Sequence, residues 1–200
     1  MVRYRYIEKL VYELYRDMPE IKFPLNLETV VDMIPNCRHT SYQRVSCVSR
    51  RSMLEVAIAC ESTSGCTYYD RTEDRYLIMT NEAVFENNTG RRRWTLAHEI
   101  GHIMCGHFLQ YPQIEKFAEN DDSVFPVCEK EADYFAATLL APIPFFDLLN
   151  IRIAKDVQWK FMLSAEASRY RINEYARWKN DCRNIQWFND MRQLYLDRGA

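Results

Sequence analysis

The most informative segment of this chain is His98-Glu99-Ile100-Gly101-His102. On an α-helix, positions i and i+4 lie one above the other on the same face, so His98 and His102 can present two imidazoles to one metal ion. Glu99 is rotated by about 100° from His98, which brings its carboxylate beside the metal without making it a ligand. This is the HExxH pattern of zinc hydrolases, in which two histidines bind Zn²⁺ and the glutamate is the general base.

The residues on both sides of the motif strengthen this interpretation, because short patterns of this kind also occur by chance. Trp94-Thr95-Leu96-Ala97 before it and Ile103-Met104-Cys105 after it are uncharged, which predicts a buried helix with one polar stripe. A polar group buried without a partner costs roughly 2–7 kcal/mol, and a bound metal removes that cost. Gly106 is a suitable residue to end the helix.

Composition limits the class of protein. Two hundred residues suit one domain, or one domain with a small appendage, and 48% hydrophobic residues indicate a globular chain. The net charge of −2 argues against a protein that is coated by nucleic acid. Residues 151–200 carry ten Lys and Arg against six Asp and Glu, so this part is mildly basic while residues 1–150 are acidic. The uneven charge is weak evidence for an acidic partner.

The chain shows no sign of a membrane or secretory protein. No apolar run approaches 18 residues, and the segment that begins Met1-Val2-Arg3 leads into an amphipathic helix. Seven cysteines without a CxxC pair are typical of reduced thiols. We therefore expect a cytoplasmic protein.

The pattern along the chain predicts a mostly helical protein. Cys66–Tyr69 and Tyr76–Thr80, separated by a polar turn, suit paired strands of a small sheet. Residues 36–51 are polar and basic and suit a loop, as do residues 109–125 with their acidic patch at 119–122. Apolar spacing, caps and prolines predict helices near residues 7–18, 26–34, 52–60, 91–105, 126–140, 145–149, 153–161 and 165–178.

A catalytic zinc site needs a third protein ligand, and Glu129 on the next long helix is the best candidate. Asp133 lies four residues later on the same face, where it can accept a hydrogen bond from the other nitrogen of a ligating histidine. Glu131 is about 200° away from Glu129 and should point elsewhere. The alternative is that all three carboxylates form a solvated helix face.

The two motif helices together resemble a known family. The stretches are Arg93-Trp94-Thr95-Leu96-Ala97-His98-Glu99-Ile100-Gly101-His102 and Glu129-Lys130-Glu131-Ala132-Asp133-Tyr134-Phe135-Ala136-Ala137-Thr138-Leu139-Leu140-Ala141-Pro142. They closely resemble the ImmA/IrrE family of metallo-endopeptidases, and the resemblance covers about residues 66–142. Residues 161–172 are similar to the helix-turn-helix-like stretch that often follows the peptidase core.

The resemblance implies a gluzincin-type, mostly helical α+β fold, zincin-like, with a small β-sheet beside the HExxH helix. It implies zinc ligands at His98, His102 and Glu129, and a general base at Glu99. The peptidase domain would span residues 1–150 with its N-terminal helices, and residues 151–200 would form a helical extension packed on it. The implied substrate is a regulatory protein, a helix-turn-helix repressor of a phage, mobile element or stress response.

Two other functions stay open at this point. One is a zinc-stabilised module that captures a protein or DNA without hydrolysis, although a purely structural site would have no use for Glu99. The other uses the basic tail to bind DNA, but its charge is low, so we expect neither direct nucleic-acid binding nor membrane binding.

Four further residues and one strand carry weaker expectations. Cys105 and Cys128 are expected to be core thiols, with a role at the metal as the alternative. His107 is expected at the surface or as a cap, and His39 in a basic loop without a partner. The strand Tyr76–Thr80 is expected at the edge of the cleft, where it would pair with an extended substrate.

Overall fold

The computed structural model describes residues 1–85, 88–113, 116–117, 125–181 and 185–199. The helices are α1 (Tyr4–Asp17), α2 (Leu27–Asp32), α3 (Tyr42–Ser49), α4 (Met53–Cys60), α5 (Thr89–Met104), α6 (His107–Gln110), α7 (Phe125–Leu140), α8 (Ala154–Phe161), α9 (Ala165–Asp181) and α10 (Ile185–Arg198). The strands are β1 (Cys37–Ser41), β2 (Gly65–Asp70), β3 (Arg75–Thr80) and β4 (Lys116–Phe117). Two 3₁₀ turns cover Glu82–Phe85 and Ile143–Phe145.

The mostly helical α+β class is confirmed, and one four-stranded sheet has the order β1-β3-β2-β4. The predicted hairpin is present: β2 and β3 are antiparallel, with Thr67 opposite Ile78. Asp70 begins the turn between them, where its Oδ1 accepts hydrogen bonds from the backbone N–H groups of Thr72 and Glu73.

Two predictions about this sheet are wrong. Residues 36–51 are not a loop, because they form β1 and α3. The five residues of β1 pair in parallel with β3, and this long-range pairing overrides a polar local sequence. Strand Tyr76–Thr80 does not lie at the cleft edge, since β1 and β2 bond to it from both sides and leave no free edge for a substrate.

The helix α5 lies against the sheet on one face. Asn88 begins it, because its Oδ1 accepts a hydrogen bond from the N–H of Arg91. Gly106, with a φ of 73°, ends the helical run in the left-handed conformation that glycine adopts at no steric cost, as the sequence predicts. Leu96, Ala97 and Ile100 are buried on the core side of α5.

The helix α5 packs closely against α7. Gly101 makes it possible, since a Cβ atom at this position would lie only 3.0 Å from the Cα atom of Ala132. The predicted helix from Pro126 to Leu140 is thus confirmed within α7. Its packing brings Glu129 and Asp133 beside the histidines of α5.

The N-terminal and C-terminal helices share the same hydrophobic core. Ile7 and Val11 of α1 are fully buried, and the hydroxyl of Tyr15 donates to the carbonyl of Leu139 at 2.6 Å. Phe161 and Met191 from the C-terminal part belong to the same apolar cluster. The helices of residues 151–200 therefore pack on the body, while the domain boundary at residue 150 stays a prediction.

Three smaller expectations have mixed outcomes. In place of the predicted helix at 145–149, the chain forms a 3₁₀ turn over Ile143–Phe145 and then further turns. The helix α10 was not predicted. The acidic patch at 119–122 lies outside the described residues. Among the described helices, none is both long and apolar enough to cross a membrane.

Candidate metal centre

Three side chains predicted to bind zinc meet between α5 and α7. The Nε2 atoms of His98 and His102 lie 3.0 Å apart. The carboxylate of Glu129 lies 3.1 Å from His98 Nε2 through Oε2 and 3.4 Å from His102 Nε2 through Oε1. The HExxH spacing and the packing of Gly101 on Ala132 together produce this convergence.

These distances fit a zinc ion. With bonds of about 2.0–2.1 Å, two ligand atoms of a tetrahedral zinc site lie about 3.3 Å apart. The three measured separations lie close to this value, and two imidazoles with one carboxylate are a known catalytic zinc donor set. His98, His102 and Glu129 are thus suited to hold the metal, leaving one position open.

Charge at the centre favours a cation. Burial alone would lower the pKa of His98, but its hydrogen bonds with Asp133 and Glu129 outweigh burial and raise the pKa to about 10, so binding of a metal at His98 would release a proton. Burial, and then the neighbouring His98 and His107, hold the pKa of His102 well below its usual value. His102 is therefore a neutral imidazole, which is the form that binds metals.

Asp133 lies where the sequence predicted it. Its Oδ1 is 3.0 Å from His98 Nδ1, the nitrogen on the far side of the ring from Glu129. A hydrogen bond from Nδ1–H to the carboxylate orients the ring and leaves Nε2 for the metal. The side chain of Asp133 is 54% exposed, so water reaches this contact.

Glu99 occupies a different environment from the other carboxylates. Its residue is only 6% exposed, and burial raises its pKa to about 7. The hydroxyl of Thr67 on β2 donates to Glu99 Oε2 at 2.7 Å. A carboxylate with a pKa near neutrality accepts and releases a proton readily at neutral pH. The sequence contained no signal for Thr67, because only the sheet brings β2 to α5.

The cavity over this centre is open and polar. The lining residues beyond the predicted site are contributed by the turn before β2, by the first residue of β2 and by the first half of α5: Ser62, Ser64, Gly65, Arg91, Trp94 and Thr95. Gly65 lies close to α5, since a Cβ atom there would be 2.8 Å from Thr95 Cγ2. At Gly65 the backbone itself therefore lines the cavity.

Two histidines are placed differently from their predictions. His107 is not at the surface, because it is fully buried beside His102, and it is not a helix cap, because Gly106 is the N-cap of α6. His39 is not in a loop without a partner: on β1, its ring contacts Glu28 and Thr80, each at 2.8 Å. Cys105 and Cys128 are buried, as expected for core thiols.

The fold and this centre define a zincin-like protein of the peptidase class. A family comparison matches residues 58–173 to the IrrE N-terminal-like domain, peptidase family M78. The match covers more than half of the chain and both motif helices, and the chain belongs to this family. A comparison with curated proteins gives no match. Family membership supports a metallopeptidase role and confirms the resemblance that the sequence indicated.

Proposed function

We propose that this chain is a zinc-dependent endopeptidase that cleaves a regulatory protein, a helix-turn-helix repressor. The observation that carries the hydrolytic part is the pairing of an open three-ligand set with a buried carboxylate, Glu99, that is not a ligand. Zinc held by His98, His102 and Glu129 supplies a Lewis acid that activates water and polarises a peptide carbonyl.

The chain's own residues provide proton transfer and orientation. Glu99 takes a proton from the attacking water and later gives it to the leaving amine, for which a pKa of about 7 is well suited. The hydrogen bond from Thr67 holds one oxygen of Glu99 in place and leaves the other for the proton. Asp133 keeps His98 in the tautomer that presents Nε2.

The family resemblance supports a helix-turn-helix repressor as the substrate, which is a more specific proposal than peptide hydrolysis. A repressor acts on DNA in the cytoplasm, so this proposal also locates the protein there, as the cysteine content predicts. The alternative, a non-hydrolytic zinc-stabilised module, gives no role to a buried general base.

Glu99→Gln tests the proposed base, because an amide fills the same space but cannot take up the proton. We expect zinc content by metal analysis to stay at the wild-type level, and cleavage to fall by at least about 10²-fold. Cleavage is read by mass spectrometry on a proteome-derived peptide library and on a purified helix-turn-helix repressor from the source organism. Glu73→Gln, an exposed turn residue, is the matched control.

The outcomes separate the two parts of the proposal. If the wild-type protein cleaves both probes and Glu99→Gln cleaves neither, both parts of the proposal are supported. Cleavage of the peptide library alone contradicts the repressor as substrate. Wild-type rates in Glu99→Gln contradict the assignment of the base, and zinc binding without any cleavage favours the non-hydrolytic module.

A further inference from the structure

A buried chain of polar side chains extends from the proposed metal ligand His102 to the N-terminal helix. His107 Nδ1 lies 3.0 Å from His102 Nδ1, and His107 Nε2 lies 3.1 Å from Glu131 Oε2. His107 and Glu131 are 0% and 2% exposed. Because both of its ring nitrogens have a partner, His107 is held in one orientation between the metal ligand and Glu131.

The positions of the protons follow from the geometry. His102 directs Nε2 at Glu129, so a neutral His102 that binds metal through Nε2 carries its proton on Nδ1. That N–H donates to His107 Nδ1, which must then accept. The remaining nitrogen of His107 carries the second proton and donates to the Glu131 carboxylate. Each hydrogen bond therefore has one donor and one acceptor, and only one arrangement satisfies both.

Arg3 completes the chain. Its backbone N–H donates to Glu131 Oε1 at 2.8 Å, and its guanidinium donates to both oxygens, with Nε 3.0 Å from Oε1 and Nη2 2.5 Å from Oε2. Nη2 also donates to the carbonyl of Cys105 at 2.9 Å. The backbone N–H and the guanidinium of Arg3 all donate to the oxygens of Glu131, and such charge-assisted hydrogen bonds stabilise the ionised carboxylate. Glu131 is thus a charged acceptor for His107.

A second metal ion is the competing explanation, since Cys105, His107 and Glu131 place one ligand atom each within 4.8 Å of one another. The guanidinium of Arg3 already supplies the positive charge at Glu131. Both oxygens of Glu131 already accept hydrogen bonds from Arg3, and Oε2 also lies 3.1 Å from His107 Nε2, so the atoms that would bind an ion already have partners. The cluster is therefore better suited to hydrogen bonding than to a cation.

We propose that His107, Glu131 and Arg3 are positioning residues for the metal ligand His102, and that they connect the start of α1 to the metal centre. The negative charge of Glu131 polarises His107, which makes His107 Nδ1 a stronger acceptor for the His102 proton. This fixes the ring and strengthens Nε2 as a metal donor. The inference rests on the proposed zinc site but not on the proposed hydrolysis.

His107→Phe tests this role, because phenylalanine fills the space and cannot accept a proton. The readouts are zinc affinity by chelator competition, zinc stoichiometry, and the visible absorption spectrum of the Co²⁺-loaded protein. We expect affinity to fall about 10–100-fold and the Co²⁺ bands to shift. His107→Gln, whose amide can accept from His102 and donate to Glu131, should restore much of the affinity. His39→Phe is the matched control and should change neither readout.

A variant at the far end of the chain covers the case in which His107→Phe does not fold. Arg3→Met removes the charge that holds Glu131, at a side chain that is 34% exposed. It should weaken zinc binding and shift the Co²⁺ bands in the same direction as His107→Phe, by a smaller amount.

The inference would be overturned if His107→Phe kept the wild-type zinc affinity and Co²⁺ spectrum. If His107→Phe does not fold, the same result in Arg3→Met would overturn it. So would two zinc ions per chain, of which one is lost with His107. A wild-type chain that binds no zinc at all contradicts the proposed function instead, so the two failures are distinguishable.

Discussion

His98 and His102 direct the same ring nitrogen at Glu129, but the groups behind the two rings differ. Behind His98 lies Asp133, one carboxylate that is 54% exposed. Behind His102 lies a buried chain through His107 and Glu131 to a third helix. Water can replace part of the first contact, whereas loss of a partner in the second leaves a polar group buried without one. The first arrangement is local to two helices, and the second ties the metal centre to the stability of the fold.

The largest effect should come from Glu129→Gln, because it changes a proposed metal ligand and not one of the groups behind the two histidines. An amide is a far weaker zinc ligand than a carboxylate, so zinc affinity should fall by more than the ~10–100-fold expected for a lost hydrogen-bond partner. Chelator competition measures it, with Glu131→Gln on the same helix for comparison. A smaller loss in Glu129→Gln than in Glu131→Gln would remove Glu129 from the ligand set.

Glu131→Gln should disrupt the buried chain of hydrogen bonds behind His102. Removal of one member of a buried ion pair costs about 3–5 kcal/mol, and the partial exposure of Arg3 reduces this to about 2–3 kcal/mol. Urea unfolding of the metal-free protein measures the free energy of unfolding. Asp133→Asn, the matched change on the exposed side, should cost less than about 1 kcal/mol. Equal losses in the two variants would show that the two sides do not differ.

Gly101→Ala should disturb the contacts behind both His98 and His102, because the new Cβ atom would meet Ala132 and push α7 away from α5. Overpacking costs about 1–3 kcal/mol, partly offset by about 1 kcal/mol from the better helix propensity of alanine. We expect a net loss near 1 kcal/mol in urea unfolding, together with weaker zinc binding. Unchanged zinc affinity would show that the interhelical distance does not control the site.

Much of the site was predictable because it depends on helical spacing. His98, His102 and Glu99 lie within one helical turn, and Glu129 and Asp133 are four residues apart, so the backbone period alone assigns them to shared faces. The resemblance to the family then pairs the two helices. Strands β2 and β3 were predictable for the same kind of reason, since a polar turn separates two apolar runs.

His107 was not predictable by this reasoning. On a continuous helix, five residues correspond to a rotation of about 140°, which would turn His107 away from His102. The left-handed conformation of Gly106 breaks the helix and brings His107 back beside His102. Glu131 was correctly predicted to point in a different direction from Glu129, but the spacing did not show that it would contact His107 and Arg3.

Residue type and helical spacing were enough to predict the mostly helical class and to propose the metal ligands and the general base, because these depend on contacts within one or two turns of helix. The groups behind the proposed ligands became visible only in the folded chain. Arg3 and Glu131 are 128 residues apart in the chain, and Thr67 and Glu99 are 32 apart on a strand and a helix. No local period relates such positions, so their contacts exist only once α1, α5, α7 and the sheet have packed around a common core.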